Sequence, residues 1–239
     1  MAASLAVSVI RMTAAKKLPA IAACLGLTAT VLLSTVTMKR TEYWRNDEAL
    51  FNREAEINPK SLLAQIFLGI IQKDSGHWEQ ALPYFMQAIE LNPESGLAAK
   101  HAGDCHQELN NYHQAENFYR RAISAQVLNT AEPFQDLSIL LYSNGKVAEA
   151  KAVLLEGIKS FPEEPLLHMD LASIYYNNEQ DYAVASKHYS LVMKLTPRLL
   201  DAKLGNALCL IKLGNTKEAK RLISELKKAQ PKRYGHLTL

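Results

Sequence analysis

No aspartate or glutamate occurs before Glu42, although the same stretch carries Arg11, Lys16, Lys17, Lys39 and Arg40. The rest of the chain has 22 Lys and Arg against 24 Asp and Glu, so the net charge of +3 belongs to the N-terminus. Phosphate binding needs a clustered basic face, and a body that is slightly acidic overall argues against nucleic acid as a partner. Cysteine is scarce: Cys24, Cys105 and Cys209 are an odd and scattered set that implies no disulfide framework. No Asn-x-Ser/Thr sequon is present, so glycosylation gives no clue to compartment. Also missing are a glycine-rich phosphate loop, a paired-carboxylate signature and a nucleophile elbow. These absences leave no catalytic centre, no cofactor cradle and no small-molecule substrate to expect. The length, 239 residues, holds one or two domains.

What is present begins with Leu18 to Met38, an uncharged stretch of 21 residues flanked by Lys16-Lys17 and Lys39-Arg40. At about 1.5 Å per residue a helix of that length reaches about 30 Å, the thickness of a bilayer core. The stretch therefore reads as a transmembrane helix following a basic N-terminal segment, residues 1–17. A cleaved signal peptide competes, but the run ends in Met38-Lys39-Arg40 and not in a small-residue cleavage site. Ile21-Ala22-Ala23-Cys24 has the form of a lipoprotein processing site, with few apolar residues between it and Lys17. Basic residues are balanced across the segment, so the charge rule leaves its orientation open. An acid-free N-terminus followed by a stop also fits a mitochondrial targeting segment.

From residue 62 onward three features recur about every 34 residues. They are an alanine (Ala81, Ala115, Ala150, Ala185, Ala219), a large apolar residue four later (Phe85, Tyr119, Leu154, Tyr189, Ile223), and a closing proline (Pro93, Pro162, Pro197, Pro231). A period of this length marks stacked helix pairs, none of which buries its apolar face alone. The predicted fold is an all-α solenoid of five units over residues 62–231: Leu62 to Ser95, Gly96 to Asn129, Ala131 to Glu164, Pro165 to Leu199, and Leu200 onward. Each has a helix A, a tight turn and a helix B. The fourth unit gains one residue near Gln180-Asp181. Tyr43 to Asn58 reads as a lone helix B capping the first pair, within a junction spanning residues 39–61. No polar capping helix follows the last unit, and residues 232–239 read as a loose tail.

This pattern resembles the tetratricopeptide repeat family. The resemblance implies a right-handed superhelix whose concave groove is lined by the A helices. Two departures, Val127 for the closing proline of the second unit and Gly157 for the helix-B alanine of the third, predict a local change of curvature. At the junction, the order of apolar helix, Trp44-x-x-x-Glu48-x-Leu50-Phe51 and repeats is similar to the transmembrane and tetratricopeptide-repeat O-mannosyltransferases and their bacterial relatives. Those enzymes need many membrane helices and an acidic motif in an early external loop, both absent here. That resemblance therefore implies topology and an accessory role: repeats on the lumenal or external side of a membrane, handling a protein acceptor.

The family's groove positions map here to Ile66, Ile70 and Lys73; Lys100, Asp104 and Gln107; Gln135, Ile139 and Tyr142; Met169, Ser173 and Tyr176; Leu204, Leu208 and Ile211. Of these, Ile139, Tyr142, Met169, Ser173, Tyr176, Leu204 and Leu208 form the expected binding strip. Tyr142 and Tyr176, equivalent in successive units, are its aromatic ladder. An apolar strip of this kind suits an extended or helical peptide, and packing within the solenoid is the alternative. Only Lys100 matches a lysine of the clamp with which some relatives hold a C-terminal carboxylate. His101 and Cys105 share a helix face, but two ligands do not make a metal site. His77, His113, His168, His188 and His236 are scattered. The expected protein is a single-pass membrane protein that binds a protein or peptide and carries no metal or cofactor.

Overall fold

The computed structural model describes residues 47–125 and 130–237. The expected membrane segment 18–38, Trp44 and Val127 lie outside the described residues. Among the described residues no helix is long and apolar enough to cross a membrane.

The described residues divide into two compact units, with the boundary between Leu68 and Gly69. In the first, α1 (Asp47–Ile57) precedes the start of α2 (Leu62–Asp74). Phe51 stacks face to face on Phe67, with ring centroids 4.4 Å apart, so the expected cap packs on α2 through that pair. Ile66, expected in the groove, is buried.

The second unit continues through α3 (Trp78–Leu91), α4 (Gly96–Glu108), α5 (Tyr112–Ser124), α6 (Glu132–Ser143), α7 (Val147–Ser160), α8 (Pro165–Ile174), α9 (Tyr182–Leu195), α10 (Leu200–Lys212) and α11 (Thr216–Ala229). Each helix packs mainly on those before and after it, and α6 also touches α8. Contact between neighbours only is what a repeat array requires.

Local chemistry explains the boundaries. Four of the five A helices end in a glycine or asparagine with positive φ: Gly76 at 78°, Asn110 at 60°, Gly145 at 77° and Gly214 at 77°. Glycine, and less readily asparagine, takes that conformation without strain. The prolines at 93, 162 and 197 occupy the second position of four-residue turns, closed by Ser95 N–H to Asn92 O, Glu164 N–H to Phe161 O and Leu199 N–H to Thr196 O. Proline's fixed φ suits that place. Ser95, Asp181 and Asn215 then cap α4, α9 and α11 by accepting from backbone N–H groups in the first turn.

The fourth repeat carries its extra residue inside helix A. Tyr175–Glu179 winds as a π turn, Gln180 takes the left-handed position at φ 56°, and Asp181 N–H reaches back to Tyr175 O. In the other repeats the corresponding bond spans one residue fewer, as from Lys146 to Leu141. Widening the helix absorbs the insertion and leaves α9 in register.

Residues 231–237 are not a loose tail. Pro231–Tyr234 forms a short helix, α12, Tyr234 is buried, and Leu237 packs on the cluster of Ala207, Leu222 and Ile223. The tail is held because Tyr234 Oη and the Arg233 guanidinium both donate to Asp201 Oδ1, at 3.3 and 2.8 Å. The exposed face of α11 is polar, carrying Lys217, Lys220, Arg221, Ser224 and Lys228.

Close approach of helices A and B depends on small residues facing rings. A Cβ at Gly103 would lie 2.6 Å from Tyr119, and one at Gly205 2.6 Å from Tyr189. Gly157 likewise yields to Phe134 and Leu167, which explains why alanine is missing there. Gly103→Ala should therefore cost about 2 kcal/mol through overpacking. Gly145→Ala, where only φ is strained and the space is open, should cost about 1 kcal/mol. Urea denaturation of both variants checks this; an equal or smaller loss at Gly103 would contradict the packing argument.

Candidate functional site

The helix-A positions of the second unit divide into a charged part and an apolar part. In the charged part, Lys100 Nζ lies 3.1 Å from Asp104, 3.4 Å from Glu132 and 3.5 Å from Asp136, while Lys73 reaches Asp104 at 3.3 Å. Burial works against the Lys100 ammonium, but the three carboxylates outweigh it and raise its pKa. Lys100 is thus already neutralised and is not a free clamp for a C-terminal carboxylate.

The two aspartates beside it diverge. Burial pushes Asp104 upward, yet hydrogen bonds from His101 and Lys100 bring it down to about 2. Burial dominates at Asp136, and with Asp104 nearby the carboxyl rises to about 6 in spite of Lys100. Asp136 Oδ2 is buried, and its one close polar neighbour is the Lys100 ammonium at 3.5 Å, too long for a strong hydrogen bond. Tyr119 Oη donates from helix B to Asp104 Oδ1 at 3.1 Å, joining this cluster to the core.

The apolar part lies on α6, α8 and α10. Ile139, Tyr142 and Leu208 are exposed, at 48%, 40% and 38%, and form the open surface there. Between α6 and α8 is a pocket of about 180 Å³, walled by Ile139, Tyr142, Leu154 and Ile174 and edged by Ser138, Asp170, Ser173 and Asn177. Gln135 Nε2 donates to Asp170 Oδ2 at 3.0 Å. Burial raises the Asp170 pKa, with the Gln135 hydrogen bond opposing it.

The other strip residues are less available. Met169 and Tyr176 are half-buried against the cluster of Ala172, Ala185 and Tyr189. The Ser173 hydroxyl pairs with Met169 O and Tyr189 Oη, and Leu204 is half-buried. Tyr142 and Tyr176 take different partners: Tyr142 Oη donates to Asn178 at 3.1 Å, and Tyr176 packs edge-on against Tyr182.

His101 Nδ1 donates to the Asp104 carboxylate across 3.2 Å and stacks on Phe85, while Cys105 is buried and its thiol is pushed up to about 12 by desolvation. Cys209 is similarly buried, at about 11. Two histidines expected to be scattered do meet. His168 Nδ1 lies 3.0 Å from His188 Nδ1, and His168 Nε2 lies 2.9 Å from Pro162 O. They come from helices A and B of one repeat, which the separation in sequence conceals. Among the described residues no group of three metal-ligating side chains forms.

Counting charge over the whole body also concealed an asymmetry. From Leu200 onward nine Lys and Arg face three Asp and Glu, so the acidic excess lies in the earlier repeats, where the charged cluster sits.

The Asp136 shift carries a sign that can be tested. Its folded pKa of about 6 exceeds the unfolded value of ~3.9. The folded state therefore holds this proton more tightly, and the penalty for ionising the group grows as pH rises through that interval. Asp136→Asn should stabilise the protein by about 1.5 kcal/mol at pH 7.5 and by much less at pH 4. Denaturant titrations at the two pH values measure this; a gain independent of pH would contradict the assignment.

Comparison with known proteins follows the same architecture. One tetratricopeptide repeat profile matches residues 68–127 and 136–197, just over half of the chain, and a second matches 176–238. No curated protein sequence matches the chain. Among solved structures, Pseudomonas aeruginosa pilF aligns with TM-score 0.68 and 17% identity, covering 85% of this chain and 91% of its own. PilW, described as a widely conserved type IV pilus biogenesis factor, aligns at 0.65 and 19%, covering 84% and 92%. YrrB, described as a repeat protein with an unusual peptide-binding site, aligns at 0.60 and 18%, covering 76% and 93%. At such identities the likeness is one of fold. With the profile matches, the helix pairs and the ring-on-glycine packing together, the chain belongs to the tetratricopeptide repeat family.

Proposed function

We propose that this protein is a protein-interaction module that holds a peptide segment of its partner against the A helices of the third to fifth repeats. The observation that carries the reading is that exposed Ile139 and Tyr142 line the pocket between α6 and α8, with Leu208 exposed on α10 in the next repeat. Large apolar side chains left open beside a concave, partly polar recess are what a peptide with alternating anchors requires. The peptide-binding site ascribed to YrrB, a protein of the same fold, supports the reading.

In this proposal residues 18–38 tether the module to a membrane, with the repeats on its lumenal or external side. A second reading, an acceptor-binding arm for an O-mannosyltransferase-like glycosyltransferase, draws support from the Trp44-x-x-x-Glu48-x-Leu50-Phe51 junction. Protease digestion of sealed membranes bearing a C-terminally tagged chain tests the topology. A protected tag agrees with lumenal or external repeats, and a digested one opposes them.

Binding itself is tested by panning a random peptide library on the full chain in detergent. Selected peptides should bind Ile139→Asp and Tyr142→Ala about tenfold more weakly or worse, with unchanged unfolding midpoints. Retention of wild-type affinity in both variants would sink the assignment.

A further inference from the structure

The charged and apolar parts of the helix-A face are built on one inter-repeat contact used twice. In the first instance Lys100 of the second repeat meets Asp136 of the third. In the second, Gln135 of the third repeat meets Asp170 of the fourth. Lys100 and Gln135 occupy the same groove position in successive units, as do Asp136 and Asp170 one residue further on. The array therefore repeats the carboxylate but replaces its cation with a neutral amide. Among the described residues Asp170 has no ion pair, and its side chain is one of those that line the pocket.

A carboxylate withdrawn from water costs free energy unless a cation compensates it. The walls beside Asp170 are those a long basic side chain needs. Ile139 and Ile174 supply apolar surface for an aliphatic stem, Tyr142 adds an aromatic ring, and Asn177 adds an acceptor oxygen. No lysine, arginine or histidine is among the residues lining this pocket.

Resting on the peptide-binding reading above, we propose that the pocket between α6 and α8 is a subsite for a basic side chain, an arginine, of the bound polypeptide, with Asp170 as its counter-ion. The ligand's guanidinium supplies Asp170 with the positive charge that the Lys100 ammonium supplies to Asp136 one repeat earlier, beside the amide that Gln135 already presents. The fork geometry lets it meet Asp170 while a second N–H reaches a neighbouring acceptor.

Three capped pentapeptides, alanine throughout except for a central arginine, citrulline or norleucine, are titrated into isotope-labelled full chain. The readout is the NMR shifts of Ile139, Tyr142 and Ile174. The arginine peptide should bind about tenfold more tightly than the citrulline peptide, which has the same shape without the charge. Asp170→Asn, which keeps an acceptor for Gln135, should erase the difference. Gln135→Lys should erase it too, by supplying the cation from within, and it guards against a folding defect in the first variant. Equal affinity for arginine and citrulline, or a preference that survives both variants, overturns the proposal. Norleucine binding as tightly as arginine removes the charge while leaving the peptide groove intact. If no peptide perturbs these residues, the pocket is not a side-chain subsite; library peptides that still depend on Tyr142 would then preserve the wider reading alone.

Discussion

Where helix B presents a ring, the facing helix has given up its side chain. Tyr119 lies over Gly103 and Tyr189 over Gly205 so closely that a single added methyl would overlap the ring. That approach sets the helix separation within the second unit. It also lets the Tyr119 hydroxyl pass through to Asp104 and the Tyr189 hydroxyl to Ser173, so both rings join the packed layer to the polar groups on the helix-A face. Rings bury large areas, and their polar tips need partners when buried. Core and binding face are therefore positioned by the same residues.

Once the helices are set at that distance, charge is partitioned along the face. The earlier repeats spend their lysines internally, with Lys73 and Lys100 shared among Asp104, Glu132 and Asp136. Such a neutralised cluster holds neighbouring repeats together and offers little to a charged ligand. The later repeats leave apolar side chains open instead, and an exposed apolar surface gains most from being covered. The division follows from which residue types occupy equivalent positions on an otherwise regular scaffold.

The π turn at Tyr175–Glu179 shows how an array tolerates an insertion. An added residue in an α-helix rotates everything beyond it by about 100°, which would turn the α9 core residues away from their neighbours. Absorbing it within one wide turn keeps Ala185 and Tyr189 buried and shifts the change into the exposed end of helix A. There Tyr175 lies under the Lys151 ammonium and against His188. The sequence reading located the extra residue near Gln180-Asp181; the helix took it up a few residues earlier, where the backbone could widen without disturbing the cap at Asp181.

Helix pairs, turns and family could be read from the chain alone, because a small residue, a ring and a proline recurring at a fixed interval reflect constraints acting within one repeat. Pro93, Pro162 and Pro197 each act on their own turn, so their spacing was sufficient. The groove positions were legible as positions, but not as surfaces. Tyr142 stays open while Tyr176, its equivalent in register, leans on the core, and Ile139 is exposed where Met169 in the next repeat is half-buried. The docking of Tyr234, the meeting of His168 with His188, and the pairing of Lys100 with Asp136 but Gln135 with Asp170 were decided only in three dimensions. Stacking brings residues about one repeat apart within hydrogen-bond or ion-pair reach, and the identity of a partner one repeat away is invisible to a pattern that records only period.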